Sequence, residues 1–164
     1  MIGRQLCLSF AGAASIVFLA GAVHARMADD LVGTWQVVSI ANTAADGTIT
    51  HPYGDHPTGS MIAEGNGRFV LMLLDPDVPK FASNNRVRGT AEENAAAVRG
   101  SLAYFGTYSL AGNTAKLKLA GSTYPNWTGT FLTFSIRSIT PDTLTWSVAA
   151  AIGGETQTEW RRLK

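Results

Sequence analysis

The sequence predicts an all-β fold, an eight-stranded antiparallel up-and-down barrel with one short inserted helix. Three observations predict it. Eight stretches rich in β-branched, aromatic and alternating apolar residues follow one another at short spacing beyond residue 30. Hairpin signals of Gly, Asn, Asp and Pro separate most neighbours, which favours strands paired in sequence order. Closing such a sheet into a ring removes the unpaired edges that invite aggregation. A sandwich of two sheets is the competing arrangement.

Residues 31–40 (LVGTWQVVSI) form the first strand, ended by the turn residues of 44–47 (AADG). Two prolines and a glycine keep 51–57 (HPYGDHP) out of regular structure. The second strand is 59–63. The segment 64–67 (EGNG) is a tight hairpin signal with Asn-Gly suited to positive φ. Residues 68–74 (RFVLMLL) are the return strand, apolar at nearly every position, so both faces are expected to be shielded.

After Asp75, Pro76, Asp77 and Pro79 a long irregular segment runs to Gly89. Thr90 and Glu93 then form a capping box, and Ala91, Ala95, Val98 and Leu102 recur at helical spacing. Gly100 is the weak point, since a helix-interior glycine costs about 1 kcal/mol relative to alanine. Strands follow at 103–110 and 115–120, the latter alternating lysine with leucine. Leu132, Phe134 and Ile136 share one face of 130–139. Leu144, Trp146 and Val148 share a face of the next strand, and 155–163 closes the chain.

The first 25 residues are expected to be a signal peptide: Arg4, an uncharged stretch from Leu6 to Val23, and the small residues Val23 and Ala25 at a cleavage site. The domain proper is then 26–164, exported to the periplasm or medium, with no stable membrane insertion after cleavage. Cys7, the one cysteine, lies inside that leader. The exported part has neither disulfide nor thiol chemistry and must hold its fold by burial. Without Arg4, 12 basic residues face 12 acidic ones. Such a balance argues against nucleic acid, which requires a concentrated basic patch. The oligomeric state is open.

The chain resembles the lipocalin-like domain family, a branch of the calycin barrels. The blocks 31–35 (LVGTW), 52–54 (PYG) with Gly59, 81–83 (FAS), 99–108 (RGSLAYFGTY), and 121–122 with 124–129 (YPNWTG) carry the likeness, in this order. Together they span nearly all of 31–163. The resemblance implies a lipocalin-like barrel. It also implies that Trp35 closes one barrel end with Arg161 or Arg162 packed across it. Members often carry histidine where this chain reads Lys116, Leu117 and Lys118, and any chemistry of that histidine is missing here.

No catalytic constellation stands out. His51, Asp55 and His56 have ligand chemistry but lack the fixed third or fourth partner that zinc needs, so no metal and no cofactor is expected. Asp75 and Asp77 would share a proton only if buried, and Ser122 and Thr130 have no evident base. The expected function is binding of a small hydrophobic ligand inside the barrel. The alternatives are a small barrel enzyme (isomerase, cyclase or hydrolase) acting on an apolar metabolite, and a structural domain with a filled core. The candidate ligand contacts are the strand aromatics Tyr104, Tyr108, Phe69 and Trp146. Tyr104 and Tyr108 share a face with Gly106 between them, where the missing side chain leaves room or admits another backbone. The loop up to Gly89 and the helix are the expected cover.

Overall fold

In the computed structural model, residues 29–150 and 153–164 are described. The expected signal peptide and its cleavage site lie outside them. The strands are β1 (Gly33–Thr43), β2 (Ile49–Thr50), β3 (Thr58–Ala63), β4 (Arg68–Leu74), β5 (Ser101–Ala111), β6 (Thr114–Ser122), β7 (Phe131–Ile139), β8 (Thr143–Ala149) and β9 (Glu155–Arg162). A helix, α1 (Ala91–Arg99), precedes β5, and a 3-10 turn at Pro125–Trp127 joins β6 to β7. Every pairing is antiparallel between neighbours, and β1 also pairs with β9. Eight strands thus close a ring. The two-residue β2 is an appendage on the far end of β1, pairing Ile49 with Thr43 and Thr50 with Asn42.

Period-two alternation fills the interior. In β4, Phe69, Leu71 and Leu73 are buried while Arg68, Val70 and Met72 face out. Val70 and Met72 are 46% and 45% exposed, so the apolar outer face of this strand is open, contrary to the expectation of two shielded faces. In register, Ile62 of β3, Val70 of β4 and Phe105 of β5 form one exposed apolar row. The core gathers Trp35, Met61, Leu71, Leu117, Leu144, Trp146 and Trp160, all nearly inaccessible. Burying each such side chain contributes on the order of 1.5–3 kcal/mol, which is how a domain without disulfides holds together.

Three irregularities re-aim the alternation. Between Val37 and Ser39 the β1–β9 register slips by one residue. Trp35 and Val37 point inward before the bulge, Val38 is exposed, and Ile40 is buried after it. The odd-numbered inward set thereby becomes an even-numbered one. A second slip lies between Phe105 and Gly106, opposite β6, and a third between Ile136 and Ser138. A Cβ on Gly106 would stand 1.9 Å from the Lys118 carbonyl oxygen. Close backbone approach therefore explains this glycine, rather than space for a ligand.

The capping box is present: Thr90 accepts from the Glu93 N–H at 3.2 Å, and the Glu93 carboxylate accepts from the Thr90 N–H at 2.8 Å. The helix stops at Arg99 with Gly100 as its C-cap, and β5 begins at once. No α1 residue is buried, and Val98 is 75% exposed. The apolar spacing from Ala91 to Leu102 does not mark a core face, because three of its four members are small or solvent-facing and the fourth belongs to β5.

Candidate functional site: a cavity at one barrel end

The two barrel ends differ. At the start of β1, Trp35 donates from Nε1 to the Leu31 carbonyl at 2.9 Å. Arg162 lies over the Trp35 ring with Cζ 4.0 Å from its centroid. The register decides which arginine does this: Arg162 pairs with Trp35 and shares its side of the sheet, while Arg161 pairs with Gln36 and bonds its side-chain oxygen at 3.0 Å. The Arg162 guanidinium donates to the backbone carbonyls of Asp30, Val32 and Pro141. Gly33, at φ +143°, lets it in, because a Cβ there would sit 2.3 Å from Nη1. This end is plugged.

The other end is hollow. A cavity of about 290 Å³ opens among the last residues of β1, β4 and β8 and the first of β5 and β9. Its apolar wall is Ile40, Leu73, Leu102, Leu132 and Val148. Asn42, Thr156 and Thr158 form a polar strip on β1 and β9. The β1 bulge is what brings Ile40 and Asn42 inside. Asn42 Oδ1 accepts from the Thr156 hydroxyl at 2.7 Å, and among the described residues the amide nitrogen has no hydrogen-bond partner. Pro52 and Tyr53, from the irregular segment after β2, and Trp127, from the 3-10 turn, complete the lining.

Aromatic rings build the walls and floor. Tyr104 is buried and meets Phe69 edge-on at 6.0 Å and Trp127 at 5.9 Å. Phe134 lies 4.5 Å from Trp146, which meets Trp160 edge-on at 6.0 Å beneath it. Burial raises the Tyr104 hydroxyl well above the usual tyrosine range, and the neighbouring Tyr53 adds to this. Burial also raises Tyr53. Both are neutral hydroxyls at ordinary pH. Among the described residues, no Asp, Glu, Lys, Arg or His lines this space.

The four aromatics singled out from the sequence do not share one space. Tyr104 lines the cavity. Phe69, Tyr108 and Trp146 surround a gap of about 10 Å³ near Leu31 and Met61, toward the plugged end. The Tyr108 hydroxyl donates to the Glu64 carbonyl at 2.8 Å, tying β5 to the β3–β4 hairpin. Nor do the 76–89 segment and α1 cover the cavity: none of their residues lines it. That segment is instead tied to the helix start, where the Glu93 carboxylate accepts from the Ala82 N–H at 2.8 Å. The mouth is bordered by Pro52, Tyr53 and Trp127. All three sit in blocks that carry the family likeness, and that was the available signal for them.

The other candidates have structural roles. His51 Nδ1 lies 3.2 Å from the Ile40 carbonyl, and among the described residues no three potential ligands form a metal-binding group. Asp75 accepts from the Asp77 N–H at 2.9 Å, a local turn rather than a proton-sharing pair. Ser122 accepts from the Tyr124 N–H at 3.0 Å.

No curated protein matches the chain. Among solved structures it is similar to a lipocalin-like protein from Bacteroides uniformis, with 22% identity over 82% of this chain and 99% of that one, at a TM-score of 0.47. It is also similar to an uncharacterized protein from Bacteroides eggerthii (15% identity, 80% and 98% covered, TM-score 0.43) and to a redesigned β barrel (15%, 85% and 96%, TM-score 0.43). The model of the lipocalin-like domain matches residues 32–162. With nearly the whole described barrel inside that match, the chain belongs to the lipocalin-like domain family.

Proposed function

We propose that this barrel binds a small hydrophobic molecule in the cavity between Ile40, Tyr104 and Thr158, and that it does so as an exported protein. One observation carries the binding reading: a core that is solid around Trp35, Trp146 and Trp160 gives way to about 290 Å³ of mostly apolar space. Small-molecule sites have this character, apolar walls with a few placed polar groups, and this one lies at the small end of their range.

Titration with the neutral fluorescent probe N-phenyl-1-naphthylamine tests the binding reading. A saturable one-to-one fluorescence rise is expected. Leu132→Trp, which pushes an indole into the cavity, should weaken it by about tenfold or more, whereas Tyr108→Ala at the other end should leave it unchanged. Undiminished binding in a folded Leu132→Trp protein would contradict the site. Export rests on the uncharged stretch and the residues Val23 and Ala25. Intact mass of the exported species should correspond to a chain beginning at Arg26. A membrane-bound species retaining Met1 would refute it.

A further inference from the structure

Deepening the cavity-binding reading, on which it rests, we infer that the ligand is an uncharged, planar aromatic molecule with a carbonyl-type acceptor that takes a hydrogen bond from Tyr104, with Tyr53 as a second donor. Charge is the first discriminator. A carboxylate or ammonium in this space would lose its hydration, and the described lining offers no ionised partner to replace it. The lining therefore favours a neutral group for the part of the ligand held inside.

Shape follows from the walls. Tyr53, Tyr104, Trp127 and Phe134 place four aromatic rings around the space, the last three held by edge or tilted contacts to other rings. Aromatic surfaces set this way favour a flat partner that meets faces and edges together. A volume of about 290 Å³ corresponds to roughly ten water molecules of liquid. Two or three fused rings are of a size to fill it.

The acceptor follows from the hydroxyls. Among the described residues neither Tyr104 nor Tyr53 has a hydrogen-bond partner for its hydroxyl. Trp160 Nε1 is the fully sealed polar side-chain atom without one. The Tyr104 side chain is buried and lines the cavity. A buried hydroxyl without a partner is costly, and a ligand oxygen placed there removes that cost. Around the ring of strands β9 stands four steps from β5, so Thr158 faces Tyr104 across the space. Asn42, whose oxygen is taken by Thr156, adds an amide N–H on the adjoining strand that has no partner among the described residues. The tyrosine hydroxyls can donate or accept and the Asn42 amide N–H can only donate, so an acceptor on the ligand is the group that all of them can serve.

Calorimetric titration with three matched compounds tests the class: fluorene, 9-fluorenone and fluorene-9-carboxylate. The expected order is 9-fluorenone tightest, fluorene weaker by about fivefold, as one net neutral hydrogen bond implies, and the carboxylate weakest. Tyr104→Phe keeps the ring and its contacts while removing the donor. It should remove most of the preference for 9-fluorenone over fluorene, the double variant with Tyr53→Phe should remove the rest, and fluorene itself should be unchanged. If fluorene binds saturably but 9-fluorenone binds no tighter, or the carboxylate binds best, the class is overturned while the cavity reading survives. A carbonyl preference that persists in the double variant overturns the assignment of the donors. Absence of saturable binding by all three contradicts the cavity reading itself.

Discussion

Arg162 illustrates how much one polar residue can hold in an apolar barrel. Its guanidinium covers the Trp35 ring and satisfies three carbonyls, those of Asp30 and Val32 where the chain enters β1 and that of Pro141 between β7 and β8. Arg162→Ala removes charge-assisted hydrogen bonds together with the cation–π contact and should lower stability by about 2–4 kcal/mol. Arg162→Lys should recover only part of that, since an ammonium cannot fork toward three acceptors. Arg161→Ala, on the outer face, should stay within about 0.5 kcal/mol of the parent. Urea unfolding decides, and equal losses for Arg161→Ala and Arg162→Ala would refute the assignment. A basic residue across Trp35 was legible in the sequence through the family likeness. The choice between two adjacent arginines was not, because it depends on the β1–β9 register. Gly106 shows the same limit: a glycine between two tyrosines reads alike for an open pocket and for the Lys118 carbonyl that presses on it.

At the level of elements, strands and turns were plain because alternation and turn chemistry are local properties. Eight strands, the hairpin at Glu64–Gly67 and the capping box of α1 all stand where those patterns place them. What local patterns cannot carry is parity across a bulge. An alternation read straight through β1 from Trp35 would send Ile40 and Asn42 outward, and the slip after Val37 sends them in. Nor does an apolar run reveal its own outer face, as Val70 and Met72 show. The helix was legible in its limits but not in its role. It touches β5, where Ser101 donates to the Ala97 carbonyl, and the 76–89 segment, where Glu93 accepts from Ala82, and it buries none of its side chains. Thr90→Ala should therefore weaken α1 by about 1 kcal/mol, seen as faster amide exchange over residues 91–97. The global unfolding midpoint should move little. A midpoint that falls by the full amount would mean that α1 is part of the cooperative core.

As a whole, the molecule is a closed ring of strands that is solid in one half and hollow in the other. Three tryptophans, Trp35, Trp146 and Trp160, occupy the solid half, with Phe134 tilted against Trp146 at the boundary. Three of the four aromatics picked from the sequence belong to that solid half because period two says which residues point inward, not how deep along the axis they lie. The residues that border the mouth come from loops, where periodicity is silent. A closed ring also leaves a rival place for an apolar molecule, the exposed row of Ile62, Val70 and Phe105 on the outer surface. Methyl-resolved NMR during titration with N-phenyl-1-naphthylamine separates inside from outside most directly. Binding in the cavity predicts saturable shifts at Ile40, Leu73, Leu102, Leu132 and Val148, with Leu31 and Leu117 at the plugged end unmoved. Shifts confined to Ile62, Val70 and Met72, with the cavity methyls silent, would contradict the account.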